Sequence, residues 1–181
     1  MSAPIVQYSL LKQNTIMPYT LISHLNYSVW ATAKLAEIIE TADESILKIE
    51  TPSSFSTIEK TILHIWDAEL VWLKRLQGES LTEWPSNSFT GDSENLIAGW
   101  VDNAVTLRDF VESKGEDYLS DTIEYKNMQG KSFTNTVEEI IYHVVNHGTF
   151  HRGQIVTMLR ANSFTDIEST DLITYLRAVA I

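Results

Sequence analysis

Apolar residues recur every three or four positions over four long stretches of the chain, a pattern that predicts four amphipathic helices. The first begins at Pro18, a residue suited to the first helical position, and runs to about Thr41. The second begins at a capping box formed by Ser56 and Glu59 and ends at Gly78. Residues 50–56 are therefore expected to form a connector between these two helices.

The third and fourth helices are predicted over the second half of the chain. The third covers about residues 94–113 and stops before Gly115. The fourth is capped by Thr134 or Thr136, carries acidic residues in its first turn and ends near Ala161. It is the longest periodic stretch of the sequence, so its polar positions are the most informative.

The remaining segments are short. Residues 81–93 contain proline, glycine and small polar residues, and we expect a loop there in which two aromatic side chains pack back onto the helices or line a cleft. Residues 122–125 and 131–133 alternate on either side of a turn at residues 127–130, which predicts a β-hairpin. A last short helix is predicted over residues 170–179, capped by Thr170 or Ser169.

Three of the five histidines lie in the middle of the fourth predicted helix, at His143, His147 and His151. Side chains four residues apart in a helix lie on one face, with Cβ atoms about 5–6 Å apart, so two such imidazoles can bind one cation. His143 with His147 and His147 with His151 are both possible pairs. The outer two are two turns apart, too far to share an ion comfortably, and spacing alone leaves the choice of pair open.

A metal that acts as a Lewis acid needs more than two protein ligands, and His64 in the second predicted helix is the best candidate for another. The alternative interpretation is structural, because histidines in amphipathic helices are more often hydrogen-bonded or surface residues than ligands. We favour that interpretation for His24, which stands alone in the first helix. Three histidines within nine residues are harder to explain in this way.

Composition restricts the chemistry further. The 181 residues carry a formal charge of −11, which disfavours non-specific nucleic-acid binding, and they suit a single domain. The absence of cysteine excludes disulfides, thiolate ligands and a cysteine nucleophile, so a metal would have nitrogen and oxygen ligands. No apolar run of about 20 residues is present, and residues 1–13 lack the features of a secretory signal. We expect a cytoplasmic location.

Four segments together resemble the DinB/YfiT-like family of four-helix metalloproteins, and the likeness extends through nearly the whole chain. They are NYSVWA at 26–31, LHIWDAE at 63–69 followed by Trp72 and Leu73, HVVNHGTFHRGQ at 143–154, and DLITYLR at 171–177. The third of these is the specific one. With the predicted elements, the expected fold is all-α: an up-down-down-up four-helix bundle with a short β-hairpin before the fourth helix and a short C-terminal helix.

The resemblance implies a metal held by His64, His147 and His151, which makes His143 a residue beside the site. The sequence departs from the family pattern at Phe150, where relatives frequently have a histidine. Because neighbouring helical positions point about 100° apart, the departure should leave coordination intact. It puts in doubt any proton relay through that position.

Three imidazoles on a divalent ion leave an open position, as in catalytic sites, and zinc or nickel is the expected ion. Asp67, Glu69 and Asn146 are candidates for orienting the ligands, although the two carboxylates, Glu69 above all, can equally be solvated helix charges. Arg152 could hold an anionic substrate group or pair with a carboxylate. Catalytic residues beyond these candidates are not apparent from the sequence.

The resemblance implies either a thiol-dependent transfer or isomerisation with a low-molecular-weight thiol as cosubstrate, or a metal-assisted hydrolysis of a small molecule. It also implies a homodimer. From the acidic charge and the lack of a long apolar run, we expect neither nucleic-acid nor membrane partners. Two other hypotheses remain: a stress-response protein that binds metal or ligand without turnover, and a metal-free helical bundle.

Overall fold

The computed structural model describes residues 19–179, and the predicted helix start at Pro18 lies outside that range. Most of the described chain is helical. The main elements are α1 (Leu21–Glu40), α2 (Ile58–Leu76), α3 (Ser93–Lys114), β1 (Thr122–Lys126), β2 (Ser132–Thr136), α4 (Val137–Ala161) and α5 (Leu172–Val179). Short 3-10 helices occupy Glu44–Lys48, Pro85–Ser88 and Glu116–Ser120.

The helix directions follow from two hydrophobic clusters at opposite ends of the bundle. One cluster joins the C-terminal ends of α1 and α4 to the N-terminal ends of α2 and α3. The other joins the N-terminal ends of α1 and α4 to the C-terminal ends of α2 and α3. The first is represented by Leu35, Ile62, Trp100 and Ile155, and the second by Leu25, Leu76, Leu107 and Val145. Helices α1 and α4 therefore run one way and α2 and α3 the other, which confirms the up-down-down-up bundle.

Polar side chains at the helix starts fix where α2 and α4 begin. The predicted capping box at Ser56 is wrong, because Thr57 is the N-cap of α2 and its side chain accepts a hydrogen bond from the Lys60 amide. A cap at Thr57 places the fully buried Ile58 at the first helical position. For α4 the cap is Thr136, the second of the two predicted candidates, and it forms a full capping box with Glu139.

The hairpin is antiparallel and two residues longer than predicted at its second strand, with Ile123 opposite Asn135. It lies against α2, where the Tyr125 ring meets the Trp72 ring edge-on at 5.0 Å. A lone pair of strands is marginal in water, so this packing is what holds it. Helix α5 begins at Leu172, two residues later than predicted.

The predicted loop at residues 81–93 contains one of the short 3-10 helices. Its Phe89 ring packs edge-on against Trp66 of α2, with 5.3 Å between ring centroids, as expected for a segment folded back on the bundle. Over residues 19–179, none of the helices combines the length and apolar character required to span a bilayer.

Candidate metal centre

The antiparallel packing of α2 and α4 brings His64 next to the histidines of α4. The ring centroid of His64 lies 4.8 Å from that of His147 and 4.6 Å from that of His151, and the latter two are 4.5 Å apart. One ring nitrogen from each residue can be chosen so that all three lie within 4.8 Å of one another. The structure thus gathers the three histidines that the family resemblance selected.

The donor set fits a divalent metal. A tetrahedral centre with bonds of about 2.0–2.1 Å separates its nitrogen ligands by about 3.4 Å. The Nε2 atoms of His64 and His147 are 2.9 Å apart, so small rotations of the rings would bring the triangle to that size. Two imidazole nitrogens at this distance must share either a proton or a cation, since two lone pairs facing each other repel.

Gln154 fixes the orientation of His151. Its Oε1 lies 2.7 Å from His151 Nδ1, and its Nε2 donates to Ser54 Oγ at 2.9 Å, so the amide is held from both sides. If Nδ1 donates to this acceptor, Nε2 carries the lone pair that faces the other two histidines. Sequence reasoning missed this role, although the three-residue spacing between His151 and Gln154 on one helix face was a usable signal.

Phe55 covers the outer side of the cluster. Its ring stacks on His64 with 4.2 Å between centroids and meets His151 edge-on at 5.7 Å. It belongs to the connector before α2, which the sequence placed outside any element, so its contribution could not be foreseen. Half-burial by such contacts removes water from the imidazoles.

The surroundings of His64 and His147 favour the neutral form of their imidazoles. Burial, reinforced by the neighbouring His151, lowers the pKa of His64 to about 4. Burial and the other three histidines of the region lower the pKa of His147 to about 3. At neutral pH both rings therefore have a lone pair available for a metal.

His143 and Asn146 lie outside the cluster. The His143 ring is 5.9 Å from that of His147 and packs edge-on against Trp72 at 5.3 Å, while Asn146 is exposed. His143 thus borders the centre on the side facing the hairpin, as the resemblance implied. Asn146 makes no hydrogen bond to a ligand histidine within residues 19–179.

Asp67 connects the site to the loop that follows α2. Its two carboxylate oxygens accept hydrogen bonds from the backbone amide and hydroxyl of Ser86, at 2.7 Å and 2.5 Å. This contact holds one wall of a cavity of about 470 Å³ beside His64, which Lys60 and Trp84 also line. Asp67 thus shapes the approach to the histidines instead of orienting one of them.

Glu69 and Arg152 are core residues, contrary to the solvated-charge interpretation of Glu69. Each is 2 % exposed, and the Arg152 guanidinium donates to hydroxyls of Ser28, Thr32 and Thr149. Burial raises the pKa of Glu69 to about 7, against the lowering effect of Arg152 and of a hydrogen bond from an asparagine of α3. Arg152 faces α1 and the bundle interior, so it is not available to clamp a substrate at the histidines.

His24 has the structural role favoured for it from the sequence. Its Nδ1 is 2.6 Å from the hydroxyl of Tyr19, and its ring packs against Tyr27 and Tyr142. It takes no part in the cluster.

Comparison with known proteins places this fold and these histidines in a family. The model of the DinB family matches residues 14–168, which include α1 to α4 and the whole cluster. This chain belongs to the DinB family. Among the curated relatives of this DinB-family chain is Protein DinB of Bacillus subtilis (strain 168), 27% identical over 144 residues, with 74% of this chain and 81% of the relative covered.

A solved structure agrees with the fold. The crystal structure of a DinB-like protein from Bacillus cereus ATCC 10987 superposes with a TM-score of 0.63, covering 84% of this chain and 99% of that one. At 17% identity this likeness supports the DinB-type bundle and carries no information on chemistry.

Proposed function

We propose that this DinB-family chain binds a divalent metal ion, zinc or nickel, through His64, His147 and Nε2 of His151, and that it uses the ion to catalyse a reaction of a small molecule. The observation that carries the proposal is the convergence of three ring nitrogens within 4.8 Å between two helices. Neutral imidazoles and a polar acceptor behind His151 support it, because ligands must be unprotonated and oriented.

The number of donors favours catalysis over a purely structural site. Within residues 19–179, no further histidine, aspartate or glutamate joins the group of three. Structural zinc sites usually have four protein ligands, whereas catalytic ones have three and an open position. A metal bound here would supply Lewis acidity, which would lower the pKa of a bound water or thiol so that it ionises near neutral pH.

The reaction class that we favour is transfer or isomerisation with a low-molecular-weight thiol, with hydrolysis as the other outcome. The chain contains no cysteine, so a thiol must come from a second small molecule. The cavity beside His64 offers space for such a molecule, and Phe55 excludes water from the outer face of the cluster. Lys60, at the rim of that cavity, supplies a positive charge for an anionic thiol compound.

Metal analysis of the purified protein tests the first step. We expect one equivalent of metal in the wild type and in His24→Ala, and none in His147→Ala. An equal metal content in all three proteins, or none in any, would reject the site.

A ligand screen tests the second step. The metal-loaded protein is heated with low-molecular-weight thiols, and specific binding should raise the unfolding midpoint in the wild type and not in His147→Ala. A bound metal that exchanges its remaining ligands with neither thiol nor water would instead support metal binding without turnover.

A further inference from the structure

Arg75, near the end of α2, is a buried cation without an acidic partner among residues 19–179. It is 8% exposed, its Nε is buried without a hydrogen bond, and within residues 19–179 no acidic side chain lies within ion-pair distance of it. The chain has 24 acidic residues against 13 basic ones, so carboxylates are not scarce. A buried charge left unpaired is costly, so the absence of a carboxylate beside Arg75 calls for a specific explanation.

Aromatic rings hold the Arg75 guanidinium in place. Its Cζ lies 4.4 Å from the centroid of Trp72 and 4.8 Å from that of Tyr125, so α2 supplies one ring and the hairpin the other. A guanidinium that meets aromatic rings with its faces keeps its N–H edges for hydrogen bonds. A planar fork of this kind suits the oxygen atoms of a carboxylate or phosphate.

The same strip of surface connects Arg75 to the histidine cluster. His64, Ala68, Trp72 and Arg75 follow one another at four- and three-residue spacing, so they share a face of α2. Ala68, between the two large rings, is partly exposed. On the α4 side, the His143 ring lies between Trp72, at 5.3 Å, and His147, at 5.9 Å.

The separation sets the size of a ligand. The eleven-residue step from His64 to Arg75 rises about 16 Å, and both side chains lean towards the N-terminus, the longer arginine by more, so roughly 10–16 Å separate the two groups. A molecule of that length could reach both ends of the strip.

We propose that Arg75 binds an oxyanion, a carboxylate or phosphate, at the far end of a substrate whose reacting end lies at His64, His147 and His151. The location of the reacting end rests on the proposed metal site, whereas the anion site depends only on Arg75 and its rings. Together, the two ends define the substrate class as elongated small molecules with an anionic group.

The first experiment uses metal-free protein, so that it is independent of the metal site. The Nε–H signal of Arg75 is followed by NMR during titration with inorganic phosphate and, separately, with acetate, at constant ionic strength. We expect a saturable shift with at least one anion, and the better of the two identifies the oxyanion. Absence of any shift with both anions overturns the proposal, whatever the metal content.

The second experiment uses zinc-loaded protein and mercaptocarboxylic acids from mercaptopropionate to mercaptoundecanoate, each compared with the alkyl thiol of equal length. Calorimetry should show that the carboxylate improves affinity about 10- to 100-fold for chains long enough to span the strip and not for shorter ones. Arg75→Gln should abolish this gain, and Arg160→Gln, which changes an exposed arginine of α4, should preserve it.

The outcomes separate the two proposals. Binding of neither thiol series would refute the metal site and leave the NMR result to decide on Arg75. A carboxylate gain that persists in Arg75→Gln would refute the anion site while leaving the metal site intact. Thermal unfolding of Arg75→Gln serves to show that the variant is folded.

Discussion

His151 and Gln154 are joined by a hydrogen bond of 2.7 Å from the imidazole Nδ1 position to the amide Oε1, one turn apart on α4. Because Gln154 is itself held by Ser54 in the connector before α2, the bond ties the orientation of a candidate ligand to a segment outside the bundle. Polar groups behind a metal-bound histidine fix its tautomer and its direction.

Removing this acceptor should weaken the metal site without destroying it. We expect Gln154→Ala to reduce zinc affinity about 10- to 100-fold, the usual effect of losing a group that orients a ligand. Competition with a chromophoric chelator measures it. Gln154→Glu should restore most of the affinity, since it keeps an acceptor, and Gln129→Ala in the hairpin turn should match the wild type. Equal affinities in all four proteins would show that the bond has no such role.

Replacing His143 and replacing His151 should have different effects on metal content. Since His143 packs on Trp72 and lies outside the cluster, His143→Ala should retain one equivalent of metal, and His151→Ala should lose it. Elemental analysis after gel filtration distinguishes them. Loss in both variants would indicate that His143 is a ligand, and loss in His143→Ala alone would favour the other pair.

These side chains show what periodicity could predict and what it could not. Apolar spacing located α1 to α4 because each buries a continuous stripe, and the histidine spacing limited the ligands on α4 to two pairs. The choice between the pairs depends on where α2 places His64, which is a tertiary contact. The resemblance to a family selected the pair His147 and His151, which the spacing alone could not do.

The errors in prediction have a common physical origin. Glutamate is usually a surface residue, but Glu69 is buried beside Arg152. The arginine's charge offsets part of the cost of burying the carboxylate, and only the assembled bundle brings the two together. Phe55 contacts His151 across a chain reversal, and Gln154 reaches Ser54 in the same way, so these two contacts belong to no local pattern; only the spacing of Gln154 from His151 was a local signal. The cap at Thr57, one residue after the expected Ser56, was decided by burial of the next residue, since both side chains can cap a helix.

Two glycines of α4 provide a matched test of the packing around Arg152. A Cβ at Gly148 would lie 3.0 Å from Arg152 Nη1, whereas a Cβ at Gly153 would have nothing within 4 Å. Alanine is the better helix former by about 1 kcal/mol, so Gly153→Ala should raise the free energy of unfolding by up to that amount. In Gly148→Ala the gain is opposed by crowding of a buried guanidinium that three hydroxyls hold in place, and we expect a net loss of about 1 kcal/mol.

Urea denaturation of both glycine variants measures the difference. A similar stabilisation in the two would mean that Arg152 relaxes freely, contrary to its hydrogen bonds with Ser28, Thr32 and Thr149. Metal content should remain unchanged in Gly153→Ala, which controls for effects on the neighbouring histidines.

Acid should destabilise the metal-free protein through His64 and His147. The folded-state pKa of each is lowered, to about 4 and about 3, while an unfolded histidine has a pKa near 6.5. The unfolded chain therefore binds more protons in this window, so the contribution of these residues to stability is complete above pH of about 6.5 and is lost as the pH falls towards the folded-state values. Since both side chains are partly exposed, solvent screening reduces the size of the effect, and the prediction concerns its direction.

The measurement is the free energy of unfolding of the wild type and of His64→Gln, in chelator, at a series of pH values between about 4 and 8. The advantage of the variant relative to the wild type should grow as the pH falls below about 6.5, because glutamine does not titrate. Glu69 is present in both proteins, so its opposite contribution, from a pKa raised to about 7, cancels in the difference. A difference that stays constant over the whole range would mean that His64 titrates alike in the folded and unfolded chains, and the lowered pKa of His64 would have to be abandoned.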